Sequence, residues 1–445
     1  MDRNEPSKPR ISVIGTGYLG ATHAVCMAEL GFEVLGMDTD TAKIAALTSG
    51  ALPFYEPAVE PLLRKHVASG QLRLTSSYAE VAEFGDVHFL CVGTPQRSAE
   101  SAADVSYLES AVTNLAPHLR AECLVVGKST VPVGTAERLS RELGELAPVG
   151  TGAELAWNPE FLREGYAIED TLTPDRIVVG TATERAEKIL REVYATQIAA
   201  DTPFLVTDFP TAELTKVAAN AFLATKISFI NAMAEVCEQA GGDITMLAEA
   251  MSYDERIGGK NLKPGLGFGG GCLPKDIRAF MARAGEIGAD QALTFLREVD
   301  AINLRRRARA VDVARECCDG SLNGRRVGVL GAAFKPNSDD VRDSPALSVA
   351  GAIQLEGAHV SVYDPKAMAN ARHDYPTLQY ASSALAACRD ADVVLHLTEW
   401  QEFRDLDPAA LATVATTLCV VDGRNALDAA RWRAAGWQYH ALGRG

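Results

Sequence analysis

The feature that most constrains the fold is a glycine-rich turn near the start of the chain. Arg10 to Ile14 is a short, mainly apolar run that predicts a strand, and the turn after it leads into a helical stretch. In that turn, Gly15 permits the tight bend, Gly17 lets a pyrophosphate approach the backbone, and Gly20 allows the helix to pack closely on the strand. This order of elements predicts a dinucleotide-binding unit in a parallel, helix-covered sheet.

The strand that follows indicates which dinucleotide would bind. It ends on Asp38, 18 residues beyond Gly20, where a carboxylate can accept hydrogen bonds from both ribose hydroxyls. The same carboxylate repels a 2′-phosphate, so the sequence predicts NAD and not NADP. The alternative is a glycine-rich turn that binds nothing, but the strand, the spacing and Asp38 together favour binding.

The later part of the chain repeats this layout. Gly357 to Asp364 matches Gly31 to Asp38, and Asp392 to Leu397 matches Asp86 to Cys91. Between the two units, apolar residues recur at the i, i+3, i+4, i+7 spacing of a helix. We therefore predict an α/β protein with two Rossmann-like, doubly wound parallel-sheet domains joined by a long central helix.

The predicted domains are residues 1–208, 209–310 and 311–445. The first is the NAD-binding domain, and the second is a helical linker that carries catalytic residues and a dimerisation surface. The third lacks the glycine fingerprint and has Lys335 where a pyrophosphate would lie. We expect it to bind a different anionic molecule, and a nucleotide is the natural candidate.

Composition excludes several classes of function. Lys and Arg number 43 against 58 Asp and Glu, and the net charge of −15 argues against broad binding of nucleic acid or anionic membranes. No apolar run approaches the ~18 residues of a membrane span, and the polar residues 1–10 lead into a strand without a signal peptide. The nine cysteines form no C-x-x-C pair, which predicts reduced thiols in the cytoplasm, with no disulfide framework and no metal site.

The most unusual stretch is a glycine-rich loop before Cys272. Five of the seven residues 265–271 are glycine, which predicts that the backbone approaches a ligand closely there. Cys272 stands where the loop would turn into a helix, with Lys275 and Asp276 just beyond. A helix N-terminus and a nearby cation both favour the thiolate, so we predict a nucleophile. The alternative is a small buried apolar side chain, which we expect for the other eight cysteines.

A second polar group lies in the central helical region. Glu213, Lys216 and Asn220 stand at i, i+3 and i+7, so they share one helix face among small apolar residues. A lysine in this setting is commonly an exposed side chain. The asparagine one turn after it favours a polar site instead.

Together these motifs resemble the UDP-glucose/GDP-mannose dehydrogenase family, and the resemblance covers nearly the whole chain. It rests on Lys216 with Asn220 and on blocks at residues 15–20, 54–57, 91–95, 129–135, 158–165, 174–177, 265–276, 334–336, 340–342 and 422–425. One departure is Gly271, since the family usually has serine before the cysteine. The 158–165 block and the approach from Lys263 to Gly265 resemble the branch that acts on UDP-glucose.

The resemblance implies a two-step oxidation of the C6 primary alcohol of UDP-glucose to UDP-glucuronate with NAD. Cys272 would form a thiohemiacetal and then a thioester. Lys216 and Asn220 would stabilise the oxyanions, and Asp276 would assist proton transfer or activate water. Thr130 and Glu160 are further catalytic candidates. The base of the first step stays open among Lys216, Asp276 and a bound water.

The resemblance also implies two sets of binding residues and an assembly. The cofactor set is Gly15, Gly17, Tyr18, Leu19, Gly20, Asp38, Lys43, Thr94, Thr130, Lys275 and Arg342. The substrate set is Glu160, Phe161, Leu162, Lys216, Asn220, Arg256, Phe268, Gly269, Phe334, Lys335 and Arg424. Arg256 would reach across the interface of a homodimer, the smallest assembly expected.

Three alternative functions stay open. One is a sibling activity on GDP-mannose or a UDP-N-acetylhexosamine. Another is a single-step dehydrogenase of the 3-hydroxyacid or 6-phosphogluconate type, which would need neither the Cys272 loop nor a second sheet domain. The last is a non-catalytic NAD-binding regulator, which would have lost residues such as Cys272 and Lys216.

Overall fold

Two separate sheets organise the chain. The computed structural model describes residues 8–97 and 102–444, so the expectation about residues 1–10 falls mostly outside the described residues. The strands of the first sheet are β1 Ile11–Ile14, β2 Val34–Met37, β3 Leu72–Thr75, β4 Val87–Leu90, β5 Cys123–Gly127, β6 Ala153–Trp157, β7 Ile177–Thr181 and β8 Phe204–Thr207. Those of the second are β9 Arg326–Leu330, β10 His359–Tyr363, β11 Gln379–Tyr380, β12 Val393–His396, β13 Cys419–Asp422 and β14 Gln438–Ala441.

Helices fall into three groups along the chain. Those among the first eight strands are α1 Tyr18–Glu29, α2 Thr41–Thr48, α3 Val59–Ser69, α4 Tyr78–Phe84, α5 Ser106–Leu115, α6 Thr135–Leu146, α7 Ala167–Leu172, α8 Glu184–Val193 and α9 Ala195–Ala199. The central helices are α10 Phe209–Ala240, α11 Ile244–Ser252, α12 Leu273–Glu286 and α13 Phe295–Glu316. Those among the later strands are α14 Pro345–Leu355, α15 Met368–Asp374, α16 Ala384–Ala387, α17 Gln401–Arg404, α18 Pro408–Ala412 and α19 Ala429–Ala434.

The first sheet has the strand order β3-β2-β1-β4-β5-β6-β7-β8. Its first six strands follow the order of a doubly wound dinucleotide-binding sheet, which confirms the predicted fold. Alternate residues of β1 enter opposite cores, because Val13 belongs to one apolar cluster and Ile14 to the other. The predicted parallel arrangement has one exception, where β6 and β7 pair antiparallel through Ala156 with Thr181 and Trp157 with Gly180.

The second sheet repeats the plan with six parallel strands. Its order, β11-β10-β9-β12-β13-β14, corresponds strand for strand to β3-β2-β1-β4-β5-β6. The duplication predicted from the sequence is therefore confirmed. The carboxyl ends of β9, β12 and β13 bring residues 331–336, 397–400 and 422–425 to the edge where ligands bind in such sheets.

The chain divides into two compact units. The first unit comprises Met1–Ala219 with Arg278–Arg283, and the second comprises Asn220–Ile277 with Ala284–Gly445. The long helix α10 runs from one into the other, as the prediction of a long central helix requires.

Helix α10 is more apolar than the sequence analysis expected. By length and composition it could cross a membrane, although 44% of its most apolar window is buried within the described protein. No single apolar run is long, but its many alanines raise the average hydropathy. Asn231 is fully buried on this helix, and its side-chain oxygen accepts a hydrogen bond from Gly265 N at 2.9 Å. This polar contact is typical of a helix packed inside a protein.

Candidate functional site

The glycine turn of the first unit has the geometry that a dinucleotide requires. Gly15 has φ +88°, and a Cβ there would lie 2.9 Å from the backbone nitrogen of Val92. A Cβ at Gly20 would lie 1.7 Å from the carbonyl oxygen of Gly15, so helix α1 can pack this closely only with glycine. By contrast, a Cβ at Gly17 would meet no atom within 4 Å. Gly17 therefore leaves open space at the N-terminus of α1, where a pyrophosphate fits.

Asp38 lies at the carboxyl end of β2, beside the same turn. Its Oδ2 accepts hydrogen bonds from Thr16 N at 2.9 Å and from Lys43 Nζ at 2.8 Å, and its Oδ1 accepts one from Asp40 N at 3.0 Å. Burial alone would raise the pKa of Asp38, but these bonds outweigh it and lower the pKa. The carboxylate stays ionised as an acceptor for ribose hydroxyls. The turn and Asp38 together fit NAD.

Two further contacts tie the predicted cofactor residues to neighbouring loops. The Tyr18 hydroxyl donates to the Glu56 carboxylate, which also accepts from Gly165 N at 2.6 Å. Thr94 Oγ1 donates to the carbonyl oxygen of Thr130 at 2.7 Å and so joins the loops after β4 and β5. Leu19 packs against the apolar core beneath α1. Glu56 was not among the predicted site residues, although it lies in the 54–57 block.

The first unit also brings four predicted substrate residues together. Lys216 Nζ forms an ion pair with Glu160 Oε1 at 2.9 Å, and both side chains are largely shielded from solvent. Glu160 Oε2 accepts from Leu162 N at 2.8 Å. The Phe161 ring lies 5.6 Å from Lys216 Nζ and 3.9 Å from the guanidinium of Arg176. Lys216 is therefore a buried cation held by a carboxylate, and the exposed-lysine alternative is excluded.

Glu213, one turn before Lys216, has a structural role. It is buried, and its carboxylate accepts from Gly134 N at 2.7 Å and Ala136 N at 2.6 Å, at the N-terminus of α6. The hydrogen bonds lower the pKa of Glu213, but burial outweighs them, so its pKa is raised. Glu213 thus attaches α10 to the loop that contains Thr130.

Lys128 is a buried polar residue that the sequence analysis missed. It follows β5 directly, and its Nζ donates to Asn158 Oδ1 at 2.9 Å. The Tyr194 hydroxyl donates to the same Oδ1 at 2.5 Å, so three polar side chains share one buried network. Burial lowers the pKa of Lys128 to about 8. A lysine directly after a buried strand, at the edge where parallel sheets bind ligands, was the available signal.

This pKa predicts a distinctive pH dependence of stability. Below pH 8 Lys128 is charged in both the folded and the unfolded chain, and its burial destabilises the fold. As the pH rises from about 8 towards 10, the folded chain has lost this proton while the unfolded chain keeps it. The free energy of unfolding should therefore rise, by up to about 3 kcal/mol, relative to a chain without Lys128.

Denaturation of the wild type and of Lys128→Met at several pH values between 7 and about 10 measures this difference. Lys65→Met, which alters an exposed lysine, is the matched control and should follow the wild type. Parallel pH profiles for the wild type and Lys128→Met would show that Lys128 titrates normally.

The second unit positions Cys272 at the start of a helix. Cys272 is exposed and directly precedes α12, and its carbonyl oxygen accepts from Asp276 N at 2.8 Å. Asp276 is buried, and its two carboxylate oxygens accept from Asn220 Nδ2 at 2.7 Å and from Lys275 Nζ at 2.6 Å. Cys272, Lys275 and Asp276 thus lie together at the start of α12, and Asn220 of α10 contacts Asp276. The oriented carboxylate of Asp276 lies one helical turn from Cys272 along the chain.

Other parts of the protein approach the glycines before Cys272 very closely. A Cβ at Gly265 would lie 2.7 Å from the carbonyl oxygen of Gly423, one at Gly267 2.0 Å from Asn303 Oδ1, and one at Gly269 2.3 Å from the carbonyl oxygen of Asp343. Further contacts hold the same loop, because Phe268 N donates to Asn303 Oδ1 at 2.7 Å and Asn303 Nδ2 donates back to the Phe268 carbonyl at 2.9 Å. Contacts with the protein itself are therefore enough to require glycine at 265, 267 and 269.

Gly271, which replaces the family serine, has Arg342 beside it. A Cβ at Gly271 would lie 2.2 Å from Cζ of Arg342, and the Gly271 backbone is outside the left-handed region. Serine therefore fits the backbone but must displace a flexible guanidinium that is also paired with Asp340 at 2.6 Å. The guanidinium of Arg342 therefore occupies the space that a serine side chain would fill.

This contact predicts that Gly271→Ser and Arg342→Ala are coupled. Gly271→Ser alone should destabilise the chain by about 1–2 kcal/mol, and much less in the Arg342→Ala background. Thermal unfolding of both single variants and the double variant measures the coupling. Gly93→Ser, whose Cβ would meet nothing within 4 Å, controls for serine itself. Additive effects of the two changes would contradict the contact.

Arg424 is held by the loop and by backbone carbonyls. Its guanidinium donates to the carbonyl oxygens of Leu397 at 2.8 Å, Gly267 at 3.0 Å and Phe334 at 3.0 Å. Burial lowers the pKa of Arg424. Asp422 accepts from Arg424 N at 3.0 Å and so orders this turn. Arg424 therefore has a clear structural role in addition to the predicted one.

The other predicted substrate residues of the second unit divide into two groups. Lys335 Nζ lies 5.2 Å from the ring of Phe334, and that ring packs beside Gly270. Phe334 therefore contacts the Cys272 loop, to which Gly269 and Gly270 belong. Arg256 does not join them, because its side chain is 89% exposed and forms an ion pair with Asp254 at 2.6 Å.

Comparison with known proteins identifies the family. Residues 9–198 match the NAD-binding domain of the UDP-glucose/GDP-mannose dehydrogenase family, residues 210–305 match its central domain, and residues 328–429 match its UDP-binding domain. The chain belongs to this family. It is an NAD-dependent oxidoreductase, as the glycine turn and Asp38 predict. The expectation that the second sheet binds a nucleotide is also confirmed, since the family uses this domain for UDP.

Relatives and solved structures match over the full length. The chain is 40% identical to a UDP-glucose 6-dehydrogenase of Rhizobium meliloti (strain 1021), over 98% of this chain and 99% of the relative. It superposes on a UDP-glucose dehydrogenase from Pyrobaculum islandicum with a TM-score of 0.91 and 38% identity, covering 100% of each chain. A UDP-D-ManNAc dehydrogenase from Pyrococcus horikoshii gives a TM-score of 0.86 and 27% identity, over 98% of this chain and 99% of the other.

Proposed function

We propose that this member of the family oxidises the C6 primary alcohol of UDP-glucose to UDP-glucuronate, in two steps that consume two NAD. The observation that carries the proposal is the exposed Cys272 at the start of α12, one turn from the buried carboxylate of Asp276. The identity with UDP-glucose dehydrogenases, 38–40% over the full length, supports the choice of sugar. A regulator without catalysis would not need this arrangement.

Cys272 is the residue that makes the second oxidation possible. An aldehyde cannot easily release a hydride, whereas its adduct with a thiolate can. Addition of the Cys272 sulfur to the aldehyde carbon forms a C–S bond and a thiohemiacetal oxyanion. Loss of hydride from that carbon leaves a thioester, and water then cleaves the C–S bond to release the acid and restore the thiol. When bound, NAD supplies the hydride acceptor for both oxidations.

The polar residues of each unit have defined tasks in this scheme. Lys216, held by Glu160, provides a buried positive charge that stabilises developing oxyanions. Asn220 and Lys275 hold Asp276 by hydrogen bonds, which orients its carboxylate for proton transfer or for activation of the hydrolytic water. The base of the first oxidation is Lys216, Asp276 or a bound water.

The remaining predicted residues are proposed to bind the two ligands. The residues proposed to serve NAD are Gly15, Gly17, Tyr18, Leu19, Gly20, Asp38, Lys43, Thr94, Thr130, Lys275 and Arg342. Glu160 to Leu162, Phe268, Gly269, Phe334, Lys335 and Arg424 serve the sugar nucleotide. The ranges 9–198, 210–305 and 328–429 matched by the family's domains support the three-domain division at 1–208, 209–310 and 311–445.

We also propose a cytoplasmic homodimer. On α10, Phe222, Phe229 and Val236 recur every seven residues and are 65%, 46% and 57% exposed, so one face of the helix carries an apolar stripe. A second copy of the chain would cover it, and the exposed Arg256 would then reach the partner. The nine free thiols agree with a reducing compartment. Light scattering during size-exclusion chromatography measures the mass directly.

The decisive experiment counts NADH formed from a limiting, known amount of UDP-glucose with excess NAD. Two NADH per sugar nucleotide would support both the substrate and the four-electron chemistry. One NADH would mean that oxidation stops at the aldehyde and that the role of Cys272 is wrong. No NADH would exclude UDP-glucose. UDP-N-acetylmannosamine, the sugar named for the Pyrococcus horikoshii neighbour, and GDP-mannose would then be tried.

A further inference from the structure

Three possible metal ligands meet in the second unit, away from the Cys272 loop along the chain. Cys317 directly follows α13, Cys419 is the first residue of β13, and His440 lies in β14. One ligand atom from each residue lies within 4.8 Å of the other two. The Cys317 thiol therefore lies beside both the Cys419 thiol and the His440 ring.

The spacing of these atoms is close to that of a zinc site. With Zn–S near 2.3 Å and Zn–N near 2.0–2.1 Å, tetrahedral ligands lie roughly 3.5–3.8 Å from one another. The ligand atoms, which lie within 4.8 Å of one another, therefore need to approach by roughly 1.3 Å at most, which side-chain rotation supplies. β13 and β14 pair in parallel with Val421 opposite His440, so two of the three ligands are on adjacent strands of one sheet.

The chemistry of the donor set also suits a soft divalent cation. Two thiolates and one neutral imidazole are ligands that zinc prefers. Two thiolate charges cancel the charge of the ion, so the site would be neutral, and this permits the complete burial of Cys419. His440 is exposed and Cys317 partly exposed, so an ion can enter from solvent.

We propose that Cys317, Cys419 and His440 bind one zinc ion, with a water molecule as the fourth ligand. Binding displaces one proton from each thiol into solvent and forms two Zn–S bonds and one Zn–N bond. The ion joins the C-terminal end of α13 to β13 and β14. Cys419 starts β13, whereas Arg424 follows its carboxyl end, so the proposed ion lies at the other end of this strand and the proposal is independent of the proposed reaction.

The sequence predicted no metal site because the three proposed ligands do not form a short motif. Cys317, Cys419 and His440 are separated by about a hundred and by about twenty residues, and only the folded sheet brings them together.

The test measures zinc on the full-length chain, kept reduced with a phosphine. After treatment with a chelator, the protein is incubated with zinc chloride, dialysed and analysed for bound metal. The wild type should retain one ion per chain, and its melting temperature should rise with zinc. His440→Gln and Cys419→Ala should each lower the zinc affinity at least about tenfold. Co²⁺ in place of zinc should show thiolate charge-transfer absorption that both variants lose.

The controls separate this site from other thiols. Cys272→Ser should retain the ion, because Cys272, the exposed cysteine among the described residues, is not one of the three proposed ligands. His373→Gln, which alters an exposed histidine elsewhere, should also retain it. If Cys419→Ala fails to fold, the exposed His440→Gln still decides the question. Absence of bound zinc in the wild type, or equal retention by His440→Gln, would overturn the proposal. If the protein binds no metal but loses two thiols on mild oxidation, the zinc proposal is overturned and a disulfide at this site takes its place.

Discussion

Replacement of Cys272 by serine should reduce steady-state NADH formation from UDP-glucose by at least about three orders of magnitude. A serine hydroxyl is not ionised near neutral pH, so it adds poorly to an aldehyde, and any ester formed is hydrolysed more slowly than a thioester. The first oxidation does not need the sulfur. We therefore expect a variant that binds both ligands and folds normally but does not complete the second oxidation.

Rapid mixing of the Cys272→Ser variant with NAD and UDP-glucose distinguishes the two steps. We expect a small, early burst of NADH, followed by negligible turnover. Cys388→Ala, in which a fully buried cysteine of the second sheet is shortened, is the matched control and should keep the wild-type rate. Undiminished NADH production by Cys272→Ser would defeat the proposed mechanism.

The second large effect is expected for Lys216→Met, which should lower kcat by about 10²–10³. Lys216 carries a positive charge within a largely shielded ion pair, and removal of the charge deprives each oxyanion of the donor proposed to stabilise it. KM for UDP-glucose should change less, because the interaction strengthens only as the oxyanion forms.

Loss of Lys216 also leaves Glu160 without its partner. The single variant should therefore lose about 3–5 kcal/mol of stability, and this loss needs to be separated from catalysis. The double variant Lys216→Met with Glu160→Gln removes both charges and should regain most of the stability. If Lys216 stabilises the oxyanion, the double variant stays inactive. Recovery of kcat together with stability would mean that Lys216 only maintains the fold.

The Cys272 loop shows that one sequence pattern can have more than one physical cause. The concentration of glycine identified an important loop, and Cys272 does lie at the start of a helix. However, the glycines at 265, 267 and 269 are required by Gly423, Asn303 and Asp343, which are distant in the sequence. A glycine in the sequence indicates that another group approaches the backbone closely. It does not indicate whether that group belongs to a ligand or to the protein.

Arg424 illustrates the same limit for charged residues. Its place in a family motif predicts an anion-binding cation. The structure adds that three backbone carbonyl oxygens, including that of Gly267 in the Cys272 loop, accept hydrogen bonds from it. Replacement of Arg424 would therefore disturb the loop as well as any bound nucleotide, and a loss of activity alone could not separate the two effects.

The sequence by itself determined the two mainly parallel sheets, the helical centre, the NAD turn and the position of Cys272 before a helix. These depend on local spacing, since hydrophobic period, glycine placement and a strand-end carboxylate act within a few turns of chain. Only the tertiary structure decided the burial of Lys128, the capping of α6 by Glu213 and the meeting of Cys317, Cys419 and His440. Each of these depends on contacts between residues far apart in the chain, and no local pattern encodes the distance between their side chains.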